Sequence, residues 1–200
     1  MKKTFILLSA VIATFFTTVD SASAQAFDFT KDEEGDLFLE GTISYDCSAS
    51  TAKDRLTYYL KSIFKMAENQ LTIDEETGMV NVIGAVNSKY VYNPLAGEFK
   101  DIVGFVLSIF PDAEEKTFHY RFSNLSLLST ATGFANYNRT DPLRVVMKKY
   151  LAAKERTEDP ALSKKEKKDA ANEMKDLASS LSKASEALKS LMDKAQESIE

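Results

Sequence analysis

The chain offers one thiol and one imidazole, Cys47 and His119, the residue types that pair as a thiolate nucleophile and its base. For that chemistry the two must meet. Cys47 ends a run in which Leu37, Leu39, Gly41, Ile43, Tyr45 and Cys47 alternate with Phe38, Glu40, Thr42, Ser44 and Asp46. In the same way Phe118, Tyr120 and Phe122 alternate with His119, Arg121 and Ser123. Period-two alternation puts Cys47 on an apolar strand face and His119 on a polar one, so the dyad is rejected. Cys47 then reads as a buried, inert thiol, and a single cysteine excludes an internal disulfide. His119 reads as a solvent-facing or hydrogen-bonded imidazole.

Other chemistries fail on spacing. No His/Cys/Asp/Glu cluster has ligand spacing, so neither a metal nor a cofactor is expected. Lys31-Asp32-Glu33-Glu34-Gly35 is acidic but lacks the alternating ligands of a calcium loop. Glu75-Glu76 and Glu114-Glu115 are paired acids in turn-like sequence, where solvated charge is the default. There is no glycine-rich phosphate loop and no Gly-x-Ser-x-Gly elbow. What remains is a surface. If helices cover one face of a sheet, the other carries Phe38, His119 and Arg121, with Met79 or Val80 and one side of the 102–110 strand. Exposed apolar area there marks a binding face, unless segments 90–97 and 133–138 fold over it.

The elements that position this face are legible. The 37–47 alternation is a half-buried strand. Ser48, Ser50 and Thr51 can cap a following helix, along which Leu56, Tyr59, Leu60, Ile63, Phe64 and Ala67 form one stripe. Leu71-Thr72-Ile73-Asp74 and Met79-Val80-Asn81-Val82-Ile83 flank Glu75-Glu76-Thr77-Gly78 as a hairpin, with Gly78 at a position needing positive φ. Residues 86–92 continue or restart a strand that Asn93-Pro94-Leu95-Ala96-Gly97 breaks. The run 102–110 is apolar on both sides, as in a central strand buried on both faces or lining a groove with one of them. The 118–128 strand closes the sheet, and 129–139 is a loop. Thr140-Asp141-Pro142 starts a helix whose stripe is Leu143, Val146, Met147, Tyr150 and Leu151.

Beyond Thr157 the composition shifts. Ser163-Lys164-Lys165-Glu166 is a capping box, and no glycine or proline follows Pro160. Met174, Leu177, Leu181, Ala184, Leu188, Leu191, Ala195 and Ser198 keep coiled-coil-like heptad spacing, widened by Ala178, Met192 and Ile199. This stripe packs on its own domain or on the preceding helix, mediates self-association through 163–200, or lies on a membrane surface. The weak Ala/Ser seam suits a helix outside the sheet's own folding unit.

Two hundred residues suit one domain with appendages. Lys2 and Lys3 precede an apolar run from Phe5 to Phe16, and Ala22-Ser23-Ala24 is a small-residue cleavage site. Together they read as a secretory signal peptide cleaved after Ala24, too short for a transmembrane anchor. No cysteine stands directly after the apolar run, since Cys47 lies deep in the first strand, so no lipid anchor is expected. Removing the leader, with two lysines and one aspartate, makes the net charge of −5 one unit more negative. Such acidity argues against nucleic-acid binding. The expected organisation is a signal peptide (1–24), a flexible leader (25–35), an α+β domain (36–139), a helix packing on it (140–157) and an amphipathic C-terminal helix (158–200).

Three segments together resemble a known family: residues 45–68, the Ile73-Asp74-Glu75-Glu76-Thr77-Gly78-Met79-Val80 hairpin, and Phe118-His119-Tyr120-Arg121-Phe122-Ser123-Asn124-Leu125. Over 37–128 the chain resembles secreted bacterial domains of unknown function with a TATA-binding-protein-like (TBP-like) fold. The resemblance implies a curved antiparallel sheet, of about five strands here, with helices on one face, and a periplasmic or extracellular home. It brings no activity and no site residues, and the long C-terminal helix lies outside its core. Two functions follow as expectations. The first is a non-enzymatic module binding a protein, peptide or glycan through the open sheet face or the helical tail. The alternative is an envelope hydrolase with an unrecognised carboxylate site, which needs two acids converging in one cleft with shifted pKa values.

Overall fold

A computed structural model describes residues 26–64, 70–94, 97–132 and 137–200. The signal peptide and its cleavage site, the last residues of the expected first helical stripe, and part of the 133–138 segment lie outside the described residues.

Seven strands form one open sheet: β1 (Thr30–Lys31), β2 (Leu37–Ser44), β3 (Leu71–Ile73), β4 (Val80–Asn93), β5 (Gly97–Asp112), β6 (Thr117–Ala131) and β7 (Tyr137–Pro142). Among the described residues three helices, α1 (Ala49–Phe64), α2 (Leu143–Glu158) and α3 (Lys164–Ile199), complete the α+β fold. The strand order is β1-β2-β6-β5-β4-β3, every pairing is antiparallel, and β7 also pairs with β6. Strand β6 shares one edge between two partners, β2 along Thr117–Phe122 and β7 along Ser126–Ala131. Asn124, with φ 54°, stands where the partner changes.

The 73–80 hairpin forms as its residue types require. Asp74 Oδ1 accepts from the Glu76 and Thr77 amides at 2.9 and 3.1 Å, and Gly78 takes φ 71°. Ser48 caps α1, its Oγ accepting from Thr51 N at 3.2 Å. Ala52, Leu56 and Leu60 of α1 are buried, while Ile63, expected in the stripe, is 41% exposed. The helix contacts the sheet along the 52/56/60 line, and Phe64 turns in instead, edge-on to Phe105 at 5.8 Å.

The sheet holds seven strands rather than about five, because β1 and β7 escape pattern reading. Strand β1 is two residues in an acidic segment, and β7 is a polar edge strand. The expected flexible leader is ordered over its described residues, 26–35: Phe29 is fully buried, Phe27 packs edge-on to Tyr150 at 5.2 Å, and Thr30 pairs with Phe38. Likewise 129–139 is not a loop throughout, since Ser129–Ala131 belong to β6 and Tyr137–Arg139 to β7. Helix α2 starts one residue later than expected, at Leu143. Pro142 is its N-cap, no side chain caps it, and Asp141 is occupied by cations.

Helix α3 starts on the expected box: Ser163 Oγ accepts from Glu166 N at 3.3 Å, and Glu166 Oε2 accepts from Ser163 N at 2.9 Å. It crosses the sheet, and its stripe is consumed there. Leu181, Ala184, Leu188, Ala195 and Ile199 are fully buried in the same core as Leu56, Leu60, Val82, Leu107, Ile109 and Phe122. The weak seam does not leave the helix outside the domain's folding unit, because small residues let it lie close on the sheet and on α2. Arg55 pins its end, donating to the carbonyls of Ile199 and Glu200 at 3.2 and 3.1 Å.

Candidate functional site

With the helices on one face, the alternation of five strands sets the opposite face. Thr42, His119 and Phe110 form one cross-strand row. Glu40, Arg121, Ser108, Asn81 and Thr72 form the next, and Ser123, Val106 and Ile83 a third. Strand β5 is buried on one side only: Val103, Phe105, Leu107 and Ile109 face the core, whereas Phe110 is 44% exposed. Val80, expected on the open face as an alternative to Met79, is buried among the core residues, and Ile83, 59% exposed, stands on the open face instead. Tyr90–Asn93 are part of β4.

The three expected site residues lie near one another on this face without converging on a common point. The Arg121 guanidinium lies 3.7 Å over the Phe38 ring, which is thereby buried to 8% exposure. Exposed His119 brings Nε2 to 3.8 Å from Asp112 Oδ2. A shallow groove of about 490 Å³ runs past Glu40, Thr42, Phe110, His119 and Arg121. Half-buried Cys47 is elsewhere, its Sγ donating to the Ile199 carbonyl at 3.9 Å, so the structure does not bring it to His119.

Sequence reasoning missed a second site. At the far end of the sheet a cleft of about 760 Å³ opens between β4–β7, α2 and α3. Leu127, Val146 and Leu177 line its apolar part. At its inner wall Asp101, 8% exposed, accepts from Ser129 Oγ at 2.6 Å and from Ser180 Oγ at 2.8 Å. Asp141 holds Arg139 Nε at 2.7 Å and Lys149 Nζ at 2.8 Å, and its pKa is lowered chiefly by the Lys149 hydrogen bond. The available signal was Asp101, a carboxylate set directly before the apolar 102–110 run. Among the described residues no three His, Cys, Asp or Glu side chains are arranged to hold a metal, and no helix is long and apolar enough to cross a membrane.

No family model and no curated protein matches the chain. Two solved structures do. A DUF4468 family protein from Bacteroides ovatus aligns at TM-score 0.52 and 14% identity, covering 86% of this chain and 92% of that one. A TBP-like protein from Parabacteroides distasonis aligns at TM-score 0.48 and 12% identity, covering 84% and 97%. The likeness to the DUF4468 structure shows the fold, an open antiparallel sheet with its helices on one face, and that is the architecture the sequence resemblance implied.

Proposed function

We propose that the chain is an exported, non-enzymatic binding module of the cell envelope or exterior, taking a protein, peptide or glycan on its open sheet face. One observation carries this reading. The C-terminal stripe is spent inside the fold, while Ile83 and Phe110 stand exposed on a sheet face that no helix of the described residues covers. The tail is thereby a structural element, and the open face takes the binding role. The hydrolase alternative needs a carboxylate poised to give up a proton near neutrality. In the cleft the shift runs the other way, since Asp141 is held ionised by Lys149 and Arg139. Export rests on the Lys2-Lys3 charge, the apolar run and the Ala-x-Ala site.

The test compares cross-linked partners of the exported protein with those of its Ile83→Glu and Phe110→Glu variants. Partners captured by the parent and lost in both variants are the expected result. Capture that is indifferent to both charges overturns the open-face reading. Recovery from the envelope of protein that retains Met1 overturns the export reading.

A further inference from the structure

The cleft carries an inference that goes beyond the open face and does not depend on it. Four carboxylates and four cations line it, and most are already matched. Asp141 holds Arg139 and Lys149, Lys100 pairs with Glu98 at 3.0 Å, and Glu173 pairs with Arg156 at 2.9 Å. Among the described residues, Lys89, Asp101 and Asp176 are left with no opposite charge within 4.0 Å.

These three stand together. Lys89 is the register partner of Asp101 across β4 and β5, beside the bulge at Asn87/Lys89. Asp176 is one helical turn before Ser180, whose hydroxyl binds Asp101, so both carboxylates border the same wall. Each Asp101 oxygen accepts one serine hydroxyl and retains a lone pair for another donor. A nearly buried carboxylate without a cation is an unmatched charge that a ligand can match. Cross-strand neighbours hold their Cβ atoms about 5 Å apart, so Lys89 and Asp101 leave the sheet side by side and present a cation and a carboxylate to one ligand head. The apolar wall of Leu127, Val146 and Leu177 offers a place for the rest of such a molecule. The volume lies within the usual range of small-molecule sites.

We propose that this cleft binds the zwitterionic head of a free α-amino acid with an apolar side chain. The ammonium lies against Asp101 and Asp176, and the carboxylate against Lys89. Neither partner group alone explains the site. An amine by itself would leave Lys89 repelling it, and an acid by itself would face two unmatched carboxylates.

Calorimetric titration of the whole chain with L-leucine, N-acetyl-leucine and leucinamide tests this. Leucine should bind saturably, and each blocked form, lacking one charge, should bind at least tenfold more weakly. Lys89→Met should weaken leucine at least tenfold without weakening leucinamide, which is freed from a like charge. Asp176→Asn should weaken both leucine and leucinamide without weakening N-acetyl-leucine, which is freed from a like charge. Neither side chain takes part in the Asp101 hydrogen bonds, and thermal melting of both variants confirms that the fold is retained. Absence of saturable leucine binding overturns the proposal. So do blocked forms that bind as well as leucine, or variants that bind leucine like the parent.

Discussion

The carboxamide of Gln196 pairs with the backbone of Ser44 as another strand would. Its Oε1 accepts from Ser44 N at 2.7 Å, and its Nε2 donates to Ser44 O at 2.8 Å. The last turns of α3 thereby close a stretch of β2 edge that the two-residue strand β1 does not reach. A free edge invites pairing with other chains, and a side-chain amide that satisfies both backbone groups removes that template locally. Gln196→Ala should cost about 1 kcal/mol, the net worth of two partly exposed hydrogen bonds. Gln196→Glu keeps the shape but turns the donor into an acceptor facing the Ser44 carbonyl and Glu200 Oε1, and should cost at least as much. Urea unfolding of the three proteins decides it: an alanine variant as stable as the parent would mean that water serves Ser44 equally well.

The burial of α3 makes a stronger claim. Leu188 is fully buried against the sheet core, so Leu188→Ala should cost about 3 kcal/mol, the usual range for a leucine cavity. A chain stopped before Ser163 loses Leu181, Ala184, Leu188, Met192 and Ile199 from that core at once. It should fail to unfold cooperatively and should bind a hydrophobic dye. A truncated chain with a sharp melting transition would restore the view of α3 as a separable tail.

Most of the sheet was legible in the sequence because β2, β6 and the 71–83 hairpin alternate cleanly or carry a diagnostic turn. The C-terminal helix was legible from its capping box and heptads. What it packs against was not, because an Ala/Ser-rich stripe fits its own sheet, a second copy or a membrane equally well in one dimension. Strands β1 and β7 were missed because neither alternates; pairing with an already formed edge determines them. Phe27 and Phe29 gave a signal that the neighbouring acids outweighed. The open face was readable from parity alone. The cleft was not, since Lys89, Asp101, Asp141 and Asp176 come from four elements whose meeting depends on the tertiary fold.

Asp141 gives a pH signature. Lys149 and Arg139 hold its folded pKa below the ordinary carboxylate value. A depressed folded pKa contributes stability that is complete above the unfolded pKa of about 4 and is lost as pH falls through the folded value. Asp141→Asn should therefore cost about 1 kcal/mol at pH 7, in keeping with a partly exposed ion pair. The gap to the parent should close as the solution is taken into the acid range. Urea midpoints at both pH values check this, and a gap that is constant with pH would assign the loss to packing rather than charge.

Gly41 and Tyr120 are register partners on β2 and β6, and the tyrosine ring lies over the glycine. A Cβ at position 41 would stand 2.5 Å from the Tyr120 hydroxyl and 2.7 Å from its Cζ. Neither separation is tolerable, and the ring is confined by Phe122, edge-on at 5.8 Å. Gly41→Ala should thus destabilise by about 2 kcal/mol, a typical cost of overpacking, although alanine alone is a better strand residue than glycine. Shortening the partner should reverse the sign. In a Tyr120→Leu background the added methyl has room to pack, so Gly41→Ala should become neutral or stabilising. The four proteins of this cycle, compared by denaturant unfolding, should show a coupling of about 1–3 kcal/mol between the two positions. Additive effects would mean that the alanine harms β2 for reasons unrelated to the ring, and the close approach would then not be what requires glycine at position 41.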